Sequence, residues 1–223
     1  MDKKLCTDGL TKFLAGLLLV VALLFIPAGS LSYWQAWLFI CVLFLPMLIA
    51  GIILLRKSPE LLRKRLNSKE KRGEQKAVVA LGGLMFLAAF ILAGLDHRFE
   101  WITLPAWVSW ASAGVFLLGY GLYAEVLREN AYLSRTIEVQ ENQKVIDTGL
   151  YGIVRHPMYM STLILFLSMP FVLGSVISFI VMLAYVPIIV KRIKDEELLL
   201  EKELDGYTEY KRKVKFRLVP FVW

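Results

Sequence analysis

The sequence predicts an all-α, polytopic integral membrane protein with four full transmembrane helices followed by a C-terminal helical hairpin. Of its 223 residues, 57% are hydrophobic, and the mean hydropathy of +0.59 is higher than soluble domains carry. Several apolar runs approach the ~20 residues that a transmembrane helix needs. The Lys and Arg residues cluster beside those runs, which is typical of the cytosolic flanks of membrane helices.

Four apolar runs in the first half of the chain predict the four full spans. In the fourth run, Gly114, Gly119 and Gly121 predict that a neighbouring helix approaches closely, because small residues let two backbones come together. The predicted spans cover about residues 11–28, 33–55, 77–95 and 104–127, with a short charged outer loop at 96–100.

Residues 56–76, between the second and third spans, carry nine Lys or Arg residues against three Glu, a net charge of +6. Ser58 and Pro59 predict a helix start here, because Ser caps helices well and Pro suits the first helical position. Two interpretations stay open: a basic helix on the inner membrane surface, or a charge that only sets topology. Either way, the positive-inside rule predicts the cytosolic side for both termini and for residues 128–155.

The chain divides into a transmembrane scaffold, residues 1–127, and a C-terminal region, residues 128–223. The C-terminal region holds a further apolar stretch of 31 residues at 160–190, which Pro170 and Gly174 interrupt. Two full crossings would need ~40 residues. We therefore expect a short hairpin that enters the membrane and returns to the same side, with one long kinked helix as the alternative.

Ionisable side chains stand at both ends of this predicted hairpin. Arg155 and His156 precede it, and Arg192 and Glu196 follow it at i, i+4 spacing, which places them on one helix face. Such groups at a membrane edge are a functional-site hypothesis, because they are costly to hold there. Each alone has a plainer explanation, as a lipid anchor or a surface ion pair. Together they predict a site for an amphoteric ligand, with these four residues as its catalytic candidates.

The C-terminal motifs resemble those of the isoprenylcysteine carboxyl methyltransferase family, integral-membrane enzymes that use S-adenosylmethionine, and are similar to those of phospholipid N-methyltransferases. The resemblance covers about residues 138–223. It departs from the family pattern at Ser161, where a Gly is common, and at 204–206, where Phe-Gly is usual. The matching motifs are Gly149-Leu150-Tyr151, Arg155-His156-Pro157-Met158-Tyr159, Glu196-Glu197, Tyr207-Thr208-Glu209-Tyr210 and Pro220.

The resemblance implies that residues 128–223 form a catalytic region with a cytosolic cofactor pocket. It implies S-adenosylmethionine as the cofactor and places Arg192 towards a lipophilic or small-molecule methyl acceptor. That acceptor could be an isoprenylcysteine-like carboxylate, a thiol or a lipid amine. The residues implied to bind the cofactor are Gln140, Gln143, Lys144, Val145, Ile146, Tyr151, His156, Pro157, Met158, Tyr159 and Glu196.

Other functions fit the sequence less well. Membrane sterol reductases that use NADPH resemble the same C-terminal pattern, although they usually carry more Trp and Asn in the cofactor half. A non-enzymatic membrane protein would leave the charged cluster without a shared role. The basic residues flank apolar segments, so we expect membrane lipids and no nucleic acid as partners. No obligate protein partner is inferred, and two cysteines do not suggest a metal site.

Overall fold

A computed structural model describes residues 3–66, 73–130, 132–133 and 139–223, with only the backbone described for 73–77. Over these residues the chain is helical and contains no strand, which confirms the all-α prediction. A short 3₁₀ turn, Gly149–Gly152, precedes the C-terminal helices. The α-helices are α1 Lys3–Ala28, α2 Trp34–Lys57, α3 Pro59–Leu66, α4 Gly73–Phe99, α5 Ala106–Glu129, α6 Pro157–Val172, α7 Val176–Met182, α8 Tyr185–Glu203 and α9 Tyr207–Lys213.

Five segments in the described part of the chain are long and apolar enough to cross a membrane. Four are α1, α2, α4 from residue 78 onward, and α5, so the prediction of a polytopic membrane protein is confirmed. The fifth is the stretch Val176–Glu203, which contains α7 and α8. The second arm of the predicted hairpin therefore has the length of a span by itself, whereas α6 is a shorter apolar helix of 16 residues.

The predicted basic segment begins with α3, an eight-residue helix that starts at Pro59 as the sequence suggests. Leu61 is its buried residue, and it packs against Val126, Leu133 and Tyr151. The helix thus covers part of the C-terminal region instead of standing free of it. Residues 67–72 of the basic segment lie outside the described residues.

Close helix contacts fall only partly where the sequence predicts them. A Cβ atom added at Gly119 would come within 2.9 Å of Leu165 in α6, so this glycine does permit the packing of α5 on α6. For Gly114 and Gly121 no described atom lies within 4 Å of such a Cβ, and the prediction is wrong there. Among the described α-helical glycines, Gly94 in α4 makes the tightest approach, since an added Cβ would lie 2.6 Å from the carbonyl oxygen of Leu24 in α1.

The charged outer loop predicted at 96–100 is wrong, because α4 continues through Phe99. Asp96 is only 3% exposed. Its carboxylate accepts hydrogen bonds from the Ser175 hydroxyl at 2.6 Å and from the Ile102 backbone N–H at 3.1 Å. These partners allow a charge to be buried at the end of a helix, since a buried carboxylate is tolerated when its oxygens are hydrogen-bonded.

The hairpin reaches the far end of the helix bundle. Its tip is formed by Gly174 with a positive φ of 74°. Beside it, the Tyr33 hydroxyl donates to the Leu173 carbonyl at 2.6 Å, and Ser175 contacts Asp96. Tyr33 precedes α2 and Asp96 lies near the end of α4, so the tip is level with the turns opposite the basic segment. The hairpin is longer than the predicted 160–190, because its second arm continues beyond residue 190 into the charged half of α8.

Two prolines act differently from the sequence-based expectation. Pro170 does not interrupt the hairpin but lies inside α6, which continues to Val172. No helix break is predicted from the sequence at Pro187. The structure nevertheless has a turn at 183–184, which separates α7 from α8 and begins four residues before this proline. A proline has no N–H for the carbonyl four residues earlier and clashes with that carbonyl, which accounts for the break.

The contact at Gly94 gives a direct test of the fold. Gly94→Ala should lower the free energy of unfolding by ~1–3 kcal/mol, because the new methyl group would push α4 away from the α1 backbone. Gly83→Ala in the same helix is the control, since its Cβ would meet no described atom within 4 Å. The control should be neutral or slightly stabilising. The measurement is thermal unfolding in detergent, followed by Trp fluorescence. Equal melting temperatures of the two variants would contradict this packing.

Candidate active site

Backbone contacts fix the two residues that precede α6. Pro157 occupies the first turn of α6, and His156 is the residue that caps it. The Arg155 N–H donates to the Phe216 carbonyl and the His156 N–H to the Arg217 carbonyl, each at 2.9 Å. The C-terminal tail therefore holds the start of the hairpin in place. Since φ of proline is fixed near its helical value, the direction of α6 is also set at this point.

A cavity opens between the start of α6, the charged half of α8, helix α9 and the loop at 139–146. Residues that sequence reasoning did not select also contribute to its wall, among them Leu199, Leu200, Leu204, Tyr207 and Tyr210. Eleven of the thirteen predicted site residues line it, namely Gln143, Lys144, Val145, Ile146, Tyr151, Arg155, His156, Met158, Tyr159, Arg192 and Glu196.

Tyr159 joins the two arms of the hairpin inside this cavity. Its hydroxyl donates to the Glu196 carboxylate and accepts a hydrogen bond from Arg192 Nε at 3.0 Å. His156 stacks on the Tyr159 ring with centroids 5.7 Å apart, and His156 Nδ1 lies 4.0 Å from Glu196 Oε1. The structure therefore brings together a cation, a carboxylate, an imidazole and a phenol from both arms. Their chemical roles stay predictions.

Glu197, which sequence reasoning left without a role, is the most highly connected carboxylate of the site. It is 3% exposed. Its Oε1 accepts from Arg155 Nε at 2.7 Å and lies 3.3 Å from His156 Nε2, and its Oε2 accepts from Arg217 Nε at 2.8 Å. A signal for it exists in the sequence: Glu197 continues the i, i+4 row of buried residues that includes Ile189 and Ile193. A carboxylate on that row must find partners inside the protein.

Arg155 serves this buried network more than it serves the cavity. Besides Glu197, its guanidinium donates from Nη1 to the carbonyl oxygens of Val214 at 2.7 Å and Lys215 at 2.8 Å. The side chain is therefore anchored to α8 and to the tail. This arrangement favours a positioning role for Arg155 over direct contact with reacting atoms.

Two predicted cofactor residues do not line the cavity. Gln140 supports the rim from outside: its Oε1 accepts from Lys64 at 2.5 Å, and its backbone N–H donates to the Gln143 side chain at 2.9 Å. Pro157 is fully buried at the start of α6. Both residues support the segments that carry lining residues. The resemblance alone could not tell such a supporting role from direct contact with a ligand.

Three buried tyrosines form the wall of the cavity near α9. The Tyr210 hydroxyl donates to the Tyr151 carbonyl at 2.7 Å, and the Tyr151 hydroxyl accepts from Asn130 at 2.8 Å. The Tyr207 hydroxyl is buried and has no hydrogen-bond partner among the described residues. Burial raises the pKa of Tyr207, and the nearby carboxylates of Glu197 and Glu196 raise it further. All three phenols thus remain neutral at physiological pH, since burial also raises the pKa of Tyr151 and Tyr210.

Most of the elements that line the cavity lie in a segment that matches a known protein family. Residues 112–202 match the family described as isoprenylcysteine carboxyl methyltransferase. The match covers less than half of the chain. The match confirms the resemblance predicted from the motifs, and it contains His156, Tyr159, Arg192, Glu196 and Glu197. Helix α9, with Tyr207, lies beyond the methyltransferase-family match.

The chain is also similar to a delta(14)-sterol reductase from Mus musculus. The two are 31% identical over 91 residues, which is 40% of this chain and 22% of the reductase. The chain thus spans about a fifth of the length of this relative. A similarity that covers so little of the relative carries no activity over to this chain, so the activity has to be argued from the site.

The buried network around Glu197 predicts a large stability effect. Glu197→Ala should lower the free energy of unfolding by ~3–5 kcal/mol, because Arg155 would be left buried without its counter-charge. Both side chains of that pair are 4% exposed. Glu203→Ala on the same helix, at an exposed position, should change stability little. Equal melting temperatures of the two variants in detergent would show that the Glu197 network does not stabilise the fold.

Proposed function

We propose that this chain is an integral-membrane methyltransferase that takes a methyl group from S-adenosylmethionine and transfers it to a lipophilic or small acceptor. The observation that carries the proposal is the junction of Tyr159, Arg192 and Glu196 across the hairpin. It lies in a segment that matches a membrane methyltransferase family. The family match supports the reaction class, and the geometry supports a site where two ligands meet between the arms.

The character of the cavity fits the chemistry of this cofactor. S-adenosylmethionine combines an ammonium, a carboxylate and a sulfonium with an uncharged purine nucleoside. The cavity has charged groups of both signs, Arg192 and Glu196, and an apolar part that contains Val145, Leu200 and Leu204. When bound, the cofactor supplies an electrophilic methyl group. The residues proposed to hold it are Gln143, Lys144, Val145, Ile146, Tyr151, His156, Met158, Tyr159 and Glu196, with Gln140 and Pro157 as supports.

Arg192 is proposed to orient the methyl acceptor. Its Nε is hydrogen-bonded to Tyr159, so the planar guanidinium has a defined direction at the cavity wall. A guanidinium favours an anionic acceptor, such as a carboxylate or a thiolate, and neither needs a base to react. A lipid amine would first have to lose a proton, for which Glu196 or His156 is placed within the same site. Correct positioning of the two reactants then supplies much of the acceleration.

The position of the cavity supports a cytosolic active site. It lies at the end of the bundle where the basic residues cluster, and the positive-inside rule assigns that end to the cytosol. A water-soluble cofactor would enter from that side. A lipophilic acceptor would come from the bilayer around the apolar helices, which makes membrane lipids the proposed environment and acceptor source.

The second candidate is an NADPH-dependent reductase of the sterol type, which the similarity to the mouse enzyme favours. The cavity between the hairpin arms would then hold a nicotinamide cofactor instead of a sulfonium cofactor. The two candidates differ in the ligand that binds, so a binding measurement separates them without knowledge of the acceptor.

We expect S-adenosylhomocysteine to bind the detergent-purified protein saturably in calorimetric titration, whereas NADPH should give no heat of binding. Glu196→Gln should weaken S-adenosylhomocysteine by roughly 10- to 100-fold, because a charged hydrogen-bond acceptor is lost from the cavity. Glu203→Gln is the matched control and should bind as the wild type does. NADPH binding alone would replace the methyltransferase proposal with the reductase.

Arg192→Ala should separate acceptor binding from cofactor binding. We expect methyl transfer from labelled S-adenosylmethionine to a prenylated cysteine, a long-chain thiol or a lipid amine to fall by roughly 10- to 100-fold, with a raised acceptor KM. S-adenosylhomocysteine should still bind. Lys191→Ala, next to it but exposed and paired with Asp195, is the control. If Arg192→Ala methylated every acceptor of the wild type with unchanged kinetics, Arg192 would not have the proposed role.

A further inference from the structure

The Tyr207 hydroxyl is a buried polar group for which the protein supplies no partner. Tyr207 is 4% exposed and belongs to the cavity wall. Its hydroxyl oxygen is out of contact with solvent and forms no hydrogen bond with any residue in the described ranges. Buried hydroxyls are nearly always paired, because an unpaired one loses its hydration without compensation. An unpaired hydroxyl at the wall of a cavity therefore indicates a ligand group that completes it.

The neighbouring tyrosines show that the local structure can satisfy a phenol. Tyr210 lies one helical turn further along α9 and donates to the Tyr151 carbonyl. Tyr151 in turn accepts from Asn130. Tyr207 and Tyr210 pack with ring centroids 5.7 Å apart, so the two residues share one environment. Among these three wall tyrosines only the Tyr207 hydroxyl lacks a partner in the described part of the chain, although polar partners are present in the same wall.

The Tyr207 side chain belongs to a wall with both apolar and charged groups. It packs in a cluster with Leu204 and Tyr210, to which Val145 and Leu200 add further apolar surface. Arg192 and Glu196 line the same cavity as Tyr207. Tyr207 is thus a wall residue of a cavity whose lining contains both apolar and charged side chains.

We propose that the Tyr207 hydroxyl binds a ribose hydroxyl of the nucleoside cofactor, an inference that rests on the proposed function. In such a cofactor the ribose lies between an uncharged base and a charged amino-acid group, and Tyr207 lines a cavity that has both apolar and charged side chains. A ribose hydroxyl both donates and accepts, and so does a neutral phenol. Tyr207 is then a binding residue outside the segment that matches the family.

The test is a titration of wild type and Tyr207→Phe with S-adenosylhomocysteine and with its 2′-deoxy and 3′-deoxy analogues. The wild type should bind one of the two analogues about tenfold more weakly than S-adenosylhomocysteine, the effect of one lost hydrogen bond. Tyr207→Phe should bind S-adenosylhomocysteine about tenfold more weakly than the wild type does. Tyr207→Phe should bind S-adenosylhomocysteine and that same deoxy analogue equally well. The hydrogen bond is already lost in the variant, so removing the ribose hydroxyl as well costs nothing further.

Tyr185→Phe is the control, because Tyr185 is a buried tyrosine of α8 that is not among the residues lining the cavity. It removes a hydroxyl that donates to Thr162, so its melting temperature should fall, while its discrimination between the analogues should stay that of the wild type. Tyr207→Phe should show the opposite pattern, with an unchanged or raised melting temperature and lost discrimination. These opposite patterns in melting temperature and in discrimination would separate an effect on ligand binding from a general effect on the fold.

The remaining outcomes each overturn a defined statement. If the wild type does not bind S-adenosylhomocysteine, the proposed function fails and the role of Tyr207 fails with it. If the wild type binds but Tyr207→Phe keeps the same affinity and discrimination, only the Tyr207 inference is wrong. It is also wrong if Tyr207→Phe weakens all three compounds equally, since the hydroxyl would then serve a group other than the ribose.

Discussion

The carboxylate of Glu197 is the contact on which the candidate site depends. It is buried on the inner face of α8 and accepts from Arg155 and Arg217, with His156 close by. A buried charge is tolerated only when partners surround it, so the segment before α6, the helix α8 and the C-terminal tail must come together around this group. Their meeting orients His156 and opens the cavity beside it. The same network anchors the Arg155 guanidinium to α8 and to the tail, although Arg155 also lines the cavity.

The hairpin is fixed at both ends by polar contacts. At its tip, Tyr33 binds the Leu173 carbonyl and Asp96 accepts from Ser175. At its base, Tyr159 links the arms through Arg192 and Glu196. Two such anchor points restrict sliding of one arm along the other, and polar contacts within an apolar bundle are costly to break because lipid offers no replacement. The relative positions of Tyr159, Arg192 and Glu196 are thus a property of the whole bundle.

The cavity wall combines an apolar part, with Val145, Leu200 and Leu204, and charged groups of both signs, Arg192 and Glu196. A ligand that joins an uncharged ring system to charged groups fits such a wall. The family match ends at residue 202, so helix α9 lies outside it. Residues of α9 are proposed to adapt the cavity to its cofactor, which is the role proposed for Tyr207.

The sequence by itself determined the helical class, the four full spans and the membrane edge that carries the site, because in lipid every backbone group must be paired internally and charges collect at the flanks. It also grouped Arg192 with Glu196 through i, i+4 spacing. Only the tertiary structure decided that Asp96 is buried, that Glu197 and not Glu196 holds the network, that Gln140 stands behind the rim, and that the Tyr207 hydroxyl lacks a partner. These facts depend on which helices cross and at what depth. The i, i+4 row that Glu197 shares with Ile189 and Ile193 indicates that this side chain faces inward, but local periodicity does not name partners that are far apart in the chain.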